Sequence, residues 1–292
     1  MAVALKTLVL GATGLLGNAV FRALSKAKGA PVYGTVRNEI AARLFKPECA
    51  EHLLVVEDLG NLHELHKLFD SVHPNVVINC TAVGRPAPVD PMKSVLIYSV
   101  LPQRLTHLCR LFDARLVQIS SDGVFSGRRG SYTEDDPPDA NDLYGISKLL
   151  GETTESHAVT LRTSIIGHEL QSRSALLEWF LSQEGDCRCH TRAIFSGFPA
   201  IALAHIIRDV VIPSPGLNGV YHVASKPISK FDLLHLVAQR YGKTIKLIPD
   251  DQTIIDRSLV ADRFAKATGY VAPEWPALVD LMYRDKFGLV RM

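Results

Sequence analysis

Thr7-Leu-Val-Leu-Gly11-Ala-Thr-Gly14-Leu-Leu-Gly17 is the stretch that decides the fold. A short strand, Thr7–Leu10, runs straight into three glycines, and a helix-period segment, Leu15–Lys26, begins inside the turn. Glycine meets three needs there: a tight turn, close approach of backbone to a pyrophosphate, and close packing of helix on strand. The helix N-terminus adds free N–H groups and the positive end of the helix dipole, where phosphates bind. The spacing is G-x-x-G-x-x-G and not G-x-G-x-x-G, so a ligand-free structural turn stays open as a reading. Its place between a strand and a helix favours nucleotide binding.

The same alternation continues outward. Pro31–Thr35, His52–Val56, Asn75–Asn79, Arg115–Ser120 and Ala158–Leu161 read as further strands. Between them lie amphipathic stretches such as Leu62–Ser71, Val95–Phe112 and Leu143–Glu155. Strands apolar on both faces and separated by helices require right-handed crossovers, hence a parallel sheet covered on both sides. The expected fold class is α/β, a doubly wound parallel sheet (Rossmann fold) over residues 1–165. Beyond about residue 165 the text turns loop-like, with Pro199, Pro213, Pro215 and a Gly216–Gly219 turn. Helical Ser174–Ser182 and Ser229–Tyr241 and a strand-like Gly219–Val223 follow. That predicts a smaller, mixed α/β C-terminal substrate lobe over 166–292. The boundary is soft, because 219–223 is free to return to the main sheet. With roughly 150 residues per domain, 292 residues fit two such units.

Composition narrows the function. Hydrophobic residues at 47% and charged residues at 21% describe a chain with a core to bury and rule out disorder. Lys plus Arg (32) nearly balance Asp plus Glu (30), so no strongly basic face is needed and nucleic acid is excluded as the main partner. No apolar run approaches the roughly 18–20 residues of a membrane span. Gly11 and Gly14 interrupt the apolar Leu8–Leu16 stretch, and no cleavage site follows it, so no signal peptide is expected. Five cysteines, an odd number, in a chain too long to need staples point to a reducing compartment, and a cytoplasmic location is expected. Cys187-Arg-Cys189-His190 lacks a second ligand pair and reads as a loop. His63-Glu-Leu-His66 is not H-E-x-x-H and reads as an exposed helix face. No metal site is expected.

Three further positions carry chemistry. Gly34-Thr-Val-Arg37 ends the second strand, and an arginine there accommodates a ribose 2′-phosphate where an acidic residue would bond a 2′-hydroxyl. NADP(H) is therefore favoured, and Glu39 nearby keeps NAD(H) open. Tyr144-Gly-Ile-Ser-Lys148 sets a phenol and an ammonium four residues apart, on one helix face. A lysine beside a phenol favours the phenolate and lets the tyrosine exchange a proton near neutrality. Ser120-Ser121-Asp122 closes a strand at its C-terminal end, where open α/β sheets bind ligands, and a serine hydroxyl there can hold a substrate carbonyl.

Taken together, the glycine turn, Ser121 and the Tyr144–Lys148 pair resemble the extended short-chain dehydrogenase/reductase family. Ile119-Ser-Ser-Asp-Gly-Val-Phe-Ser-Gly127, Tyr144-Gly-Ile-Ser-Lys-Leu-Leu-Gly-Glu152, Leu161-Arg-Thr-Ser164 and Gly219-Val-Tyr-His-Val-Ala224 resemble its dTDP-4-dehydrorhamnose reductase-like branch. The resemblance implies a nucleotide-sugar keto-reductase with catalytic Ser121, Tyr144 and Lys148. It implies cofactor contacts from Gly11, Thr13, Gly14, Leu15, Leu16, Gly17, Arg37, Asp58, Leu59, Cys80, Thr81 and Ala82, with Tyr144 and Lys148 beside the nicotinamide ribose. A nucleotide-sugar substrate would occupy the second half. A non-catalytic regulatory subunit, a nucleotide-sugar epimerase and a homodimer all stay open.

Three positions depart from the family pattern. Leu101 stands where the fourth helix usually carries an Asn. Ile165 stands where rhamnose-pathway reductases tend to carry a Trp. Gly123 stands where sugar dehydratases carry an acidic residue, which argues against dehydration. Arg128-Arg129 reads as a solvated loop tip near the serine, Arg257 as either a diphosphate ligand or an ion pair, and Tyr98 and Cys109 as core.

Overall fold

The computed structural model describes residues 5–27, 30–83, 90–170 and 174–289. Strands β1 (Thr7–Leu10), β2 (Val32–Val36), β3 (Leu53–Val55), β4 (Val76–Asn79), β5 (Arg115–Ile119), β6 (Ala158–Arg162) and β7 (Gly219–His222) form one sheet. Their order is β3-β2-β1-β4-β5-β6-β7, and every neighbouring pair is parallel. Strands β1 and β4 are buried along their whole length, in keeping with their short apolar runs, Leu8–Leu10 and Val76–Ile78. Alternate residues feed two cores. Val9, Ile78 and Val117 enter one, while Leu8, Leu10, Val77 and Leu116 enter the other. The strand order reverses between β1 and β4, so a crevice opens at their C-terminal ends. Ligands of open α/β sheets bind at that switch point.

Helix α1 (Leu15–Ser25) covers the first face together with the segment Ala200–Ile206, and α2 (Leu62–Val72) covers the second with α3, residues 91–111. The middle of α3, Leu96–Val100, is π-helical: the Leu101 N–H donates to the Leu96 carbonyl, five residues back. Pro102 accounts for it. Proline has no N–H to give the carbonyl four residues earlier, that of Tyr98, so the helix bulges there. Helix α4 (Leu143–Leu150) starts at Asp142, whose side chain accepts from the Gly145 N–H at 2.8 Å.

Two stretches of the second half that read as loop in the sequence are regular elements. Ala200–Ile206 and its continuation Ile207–Val211 are helical where only a proline-rich loop was expected. All but His205 of Ala200–Ile206 are buried apolar residues, so no amphipathic period marked the helix. Cys187–His190 is a strand and not a loop, paired in parallel with Leu247–Asp250. Its alternation, with Cys187 and Cys189 inside and Arg188 outside, was the available signal. Among the described residues no helix is long and apolar enough to cross a membrane.

Candidate active site

The glycine turn is built as its sequence demands. Gly11 has φ 77°, and its N–H donates to Thr35 Oγ1 at 3.0 Å, which ties the turn to β2. A Cβ on Gly17 would lie 2.1 Å from the Gly11 carbonyl oxygen, so only glycine lets α1 pass this close to the turn. Gly14 is the N-cap of α1 and brings no side-chain cap, leaving the first-turn N–H groups to an anion. Thr13, Leu15 and Leu16 complete the turn, with Leu16 buried in the core behind it. This cradle fits a pyrophosphate.

The remaining cofactor candidates stand along the same sheet edge. Arg37 follows β2 and is exposed. Asp58 follows β3, and its carboxylate accepts from the Gly60 N–H at 2.8 Å; Leu59 packs half-buried against the α2–α3 core. Cys80 follows β4, buried, with its carbonyl 3.2 Å from where a Gly11 Cβ would stand. Burial pushes the Cys80 thiol up to about 12, so it is a neutral wall and not a nucleophile. Thr81 is pinned by Asn79, whose Oδ1 accepts from the Thr81 N–H at 3.1 Å and from its hydroxyl at 2.7 Å; Ala82 is exposed beyond it. An exposed cation at the end of β2 and a glycine cradle at the end of β1 fit a nicotinamide dinucleotide.

Ser121, Tyr144 and Lys148 meet at the end of β5. The Ser121 hydroxyl accepts from the Gly123 N–H at 2.9 Å and donates to Asp122 Oδ1 at 3.1 Å. The Lys148 ammonium is buried and donates to the Ile119 carbonyl at 3.2 Å. Burial lowers its pKa to about 8, partly opposed by the nearby Cys80 and Glu152. The Tyr144 ring lies half-exposed over Gly123, where an added Cβ would come within 2.8 Å of Tyr144 Cε1 and 3.1 Å of Ser121 Oγ. Gly123 is therefore the floor of the site, and no side chain fits at that position without moving Tyr144. Gly123→Ala should keep the fold, because the half-exposed ring is free to give way, yet lower turnover about tenfold or more through misplacement of the phenol. Steady-state kinetics beside a thermal melt check this; unchanged turnover would mean that Tyr144 works from elsewhere.

Beneath the site lies a buried ion pair that sequence reading missed. Arg162 on β6 binds Glu152 through two bonds of 2.8 Å, and Ser120 donates to the same carboxylate at 2.6 Å. This links β5, β6 and the end of α4. Asp122, the residue after Ser121, has its carboxyl pushed up to about 6 by burial, against hydrogen bonds from Ser121 and Ser164 and the Arg257 charge. Arg257 pairs with Asp142 at 3.7 Å, and its buried Nε has no hydrogen-bond partner among the described residues. Arg129 is tied to Asp136, while Arg128 is exposed at the loop tip. Leu101 is wholly buried in the α2–α3 core, so it is not the residue of α3 that meets the site. Tyr98, which lies in the same core as its sequence reading expects, is that residue. Its ring lies 4.7 Å from Lys148 Nζ and 5.3 Å, edge to face, from the Tyr144 ring.

Comparison with known proteins agrees with this geometry. Residues 5–263 match the family model described as the RmlD substrate binding domain. Methionine adenosyltransferase 2 subunit beta of Mus musculus is 31% identical over 312 residues, covering 96% of this chain and 90% of that protein. A Haloferax volcanii protein named "probable low-salt glycan biosynthesis reductase Agl14" is 28% identical over 273 residues, covering 87% and 84%. The solved dTDP-4-dehydrorhamnose reductase of Bacillus anthracis, in complex with NADP, aligns with a TM-score of 0.79 at 18% identity, covering 97% of this chain and 100% of that one. The dTDP-glucose 4,6-dehydratase of the same organism, in complex with NAD, gives 0.77 at 16% identity, covering 96% of each. These two structures share the fold and differ in chemistry, so the fold by itself does not choose between reactions. With the family model spanning nearly the whole chain, and with the glycine turn and the Tyr144–Lys148 pair on one sheet edge, this chain belongs to the RmlD substrate binding domain family, within the extended short-chain dehydrogenases/reductases.

Proposed function

We propose that this protein is a reductase of a keto nucleotide sugar that prefers NADP(H). The observation that carries the reading is the convergence of Ser121, Tyr144 and Lys148 around Gly123, beside an anion cradle at the switch point of the sheet. The bound nicotinamide would supply hydride to the ketone carbon. Gly11, Thr13, Gly14, Leu15, Leu16 and Gly17 would hold its pyrophosphate, with Asp58, Leu59, Cys80, Thr81 and Ala82 lining the way to the nicotinamide.

The chain's own residues then manage one proton. Negative charge develops on the carbonyl oxygen, where Ser121 and Tyr144 both donate. Ser121 has a single proton, which it gives to Asp122 at rest, so its hydroxyl must turn from Asp122 to the substrate. Tyr144 Oη gives up its proton to the carbonyl oxygen, and the Lys148 ammonium stabilises the phenolate left behind. Lys148 spends one of its three protons on Ile119, leaving others for the nicotinamide ribose. Residues 166–292, apart from β7 and the helical segment Ala200–Ile206 that packs beside α1, would form the substrate lobe, with the unpartnered Nε of Arg257 available to an anionic group.

Purified protein incubated with NADPH and a panel of 4-keto nucleotide sugars, with nicotinamide absorbance followed, tests the reading. Oxidation of NADPH with one-for-one reduction of a sugar supports it. Isomerised sugar without net NADPH consumption would show an epimerase instead. Relatives named methionine adenosyltransferase 2 subunit beta favour a second reading, a regulatory subunit on the same fold. Cofactor binding without turnover, together with stable capture of a methionine adenosyltransferase catalytic chain, would establish that one.

Cofactor choice is read at Arg37. A guanidinium forms paired, charge-assisted bonds to a 2′-phosphate. Arg37→Asp should weaken NADPH about 10–100-fold in a fluorescence titration and leave NADH nearly unchanged. Equal loss for both cofactors would show that Arg37 does not read the phosphate.

A further inference from the structure

We propose that Tyr98 is a positioning residue for the Tyr144–Lys148 pair, holding the Lys148 ammonium on its ring face and bracing the Tyr144 ring edge to face. The catalytic part of this inference rests on the reductase reading; the part concerning Lys148 does not. The Tyr98 ring is fixed at both ends. Pro102 frees the Tyr98 carbonyl from the helix ladder, and α4 packs directly on that carbonyl, since a Cβ on Gly151 would stand 1.9 Å from its oxygen. The adjacent Ser99 hydroxyl donates to the Ser147 carbonyl at 2.9 Å, a second tie between the same two turns. At its far end the Tyr98 hydroxyl accepts from the Val83 N–H at 2.9 Å, in the segment leaving β4. The π-helical turn thus delivers a rigid aromatic plane to the site.

Lys148 needs such a plane. Its ammonium is buried, and the acidic side chain whose charge reaches it, Glu152, is committed to Arg162. From β4 it faces the neutral Cys80 thiol, and from β5 the Ile119 carbonyl. The Tyr98 ring face, with its centroid 4.7 Å from Nζ, supplies the remaining electrostatic complement, within the roughly 6 Å reach of a cation–π contact. Because the same ring touches Tyr144, one side chain sets where both groups stand relative to each other.

The test uses the full chain, with lysine labelled at its ε-carbon and the Lys148 resonance assigned by Lys148→Ala. Tyr98→Phe keeps the ring and loses the hydroxyl; Tyr98→Leu and Tyr98→Met fill the space without a π face. Tyr98→Phe should hold the Lys148 titration midpoint at its wild-type value and turnover within about threefold. The aliphatic variants should move that midpoint about 0.4–1.5 pH units downward and lower kcat about tenfold, with the NADPH KM changing less. Two aliphatic variants guard against one failing to fold. A wild-type midpoint in either folded aliphatic variant would overturn the inference, and so would a shift in Tyr98→Phe as large as theirs. The titration needs no substrate. If Tyr144→Phe proves fully active, the reductase mechanism falls while the hold of Tyr98 on Lys148 is still decided by the resonance.

Discussion

Tyr144→Phe should lower the reduction rate by about 10²–10⁴-fold, with little change in NADPH affinity. At about 1.4 kcal/mol per tenfold, that is a loss of roughly 3–5 kcal/mol of transition-state stabilisation through one oxygen atom. The surroundings make this a clean deletion. Tyr144 is 42% exposed, so removing its hydroxyl opens no cavity. Its ring would keep the edge-to-face contact with Tyr98 and its seat over Gly123. Ser121 would still donate to the carbonyl, which is why activity should fall steeply without vanishing. The effect should appear in kcat and in kcat/KM alike, since the proton transfer belongs to the transition state. Lys148→Ala should instead damage turnover and NADPH binding together. Near-normal rates for Tyr144→Phe on a verified substrate would transfer the acid role to Asp122, whose carboxyl is pushed up to about 6 and accepts from Ser121.

Why these residues were legible in sequence, and others not, follows from how far each signal travels along the chain. A central parallel strand is buried on both faces, so β1 and β4 write themselves as short apolar runs, Leu8–Leu10 and Val76–Ile78. Tyr144 and Lys148 are four residues apart on one helix, and the helical repeat alone brings them to one face. Gly17 is demanded by an atom six residues away, still within the local text. Tyr98 is different. It stands three residues before buried Leu101, in a spacing indistinguishable from core, and only the bulge opposite Pro102 and the packing of α4 aim its ring at Lys148. The dependence of Tyr144 on Gly123 joins a loop to a helix more than twenty residues later, and no periodicity records it. Arg162 and Glu152 are ten residues apart on different elements, and their pairing exists only once β6 lies beside β5.

That pairing carries the largest expected effect on stability. Arg162→Met should cost about 3–5 kcal/mol, because it strands the Glu152 carboxylate in a site where its own side chain is only 8% exposed. Ser120 would remain as a donor to it, which is too little for a buried charge. Met fills much of the volume, so the loss measures the orphaned charge more than a cavity. Adding Glu152→Gln to Arg162→Met should therefore restore part of the stability, the sign expected when both charges leave together. The pH dependence adds a second check. His222 lies 3.3 Å from Arg162, and its pKa is lowered to about 4, chiefly by burial and then by the Arg162 charge. A folded value below the unfolded one means that the unfolded chain binds the extra proton between about 6.5 and about 4, so His222 makes the fold lose stability as pH falls through that window. Without Arg162 the His222 value should rise toward its ordinary range and this acid-linked loss should shrink. Urea unfolding of both proteins at pH 7 and pH 5 reads both effects. A deficit below about 1 kcal/mol at pH 7 would show that water or a neighbouring donor takes over from the guanidinium, and that the pair is not what locks β5, β6 and α4 around the serine.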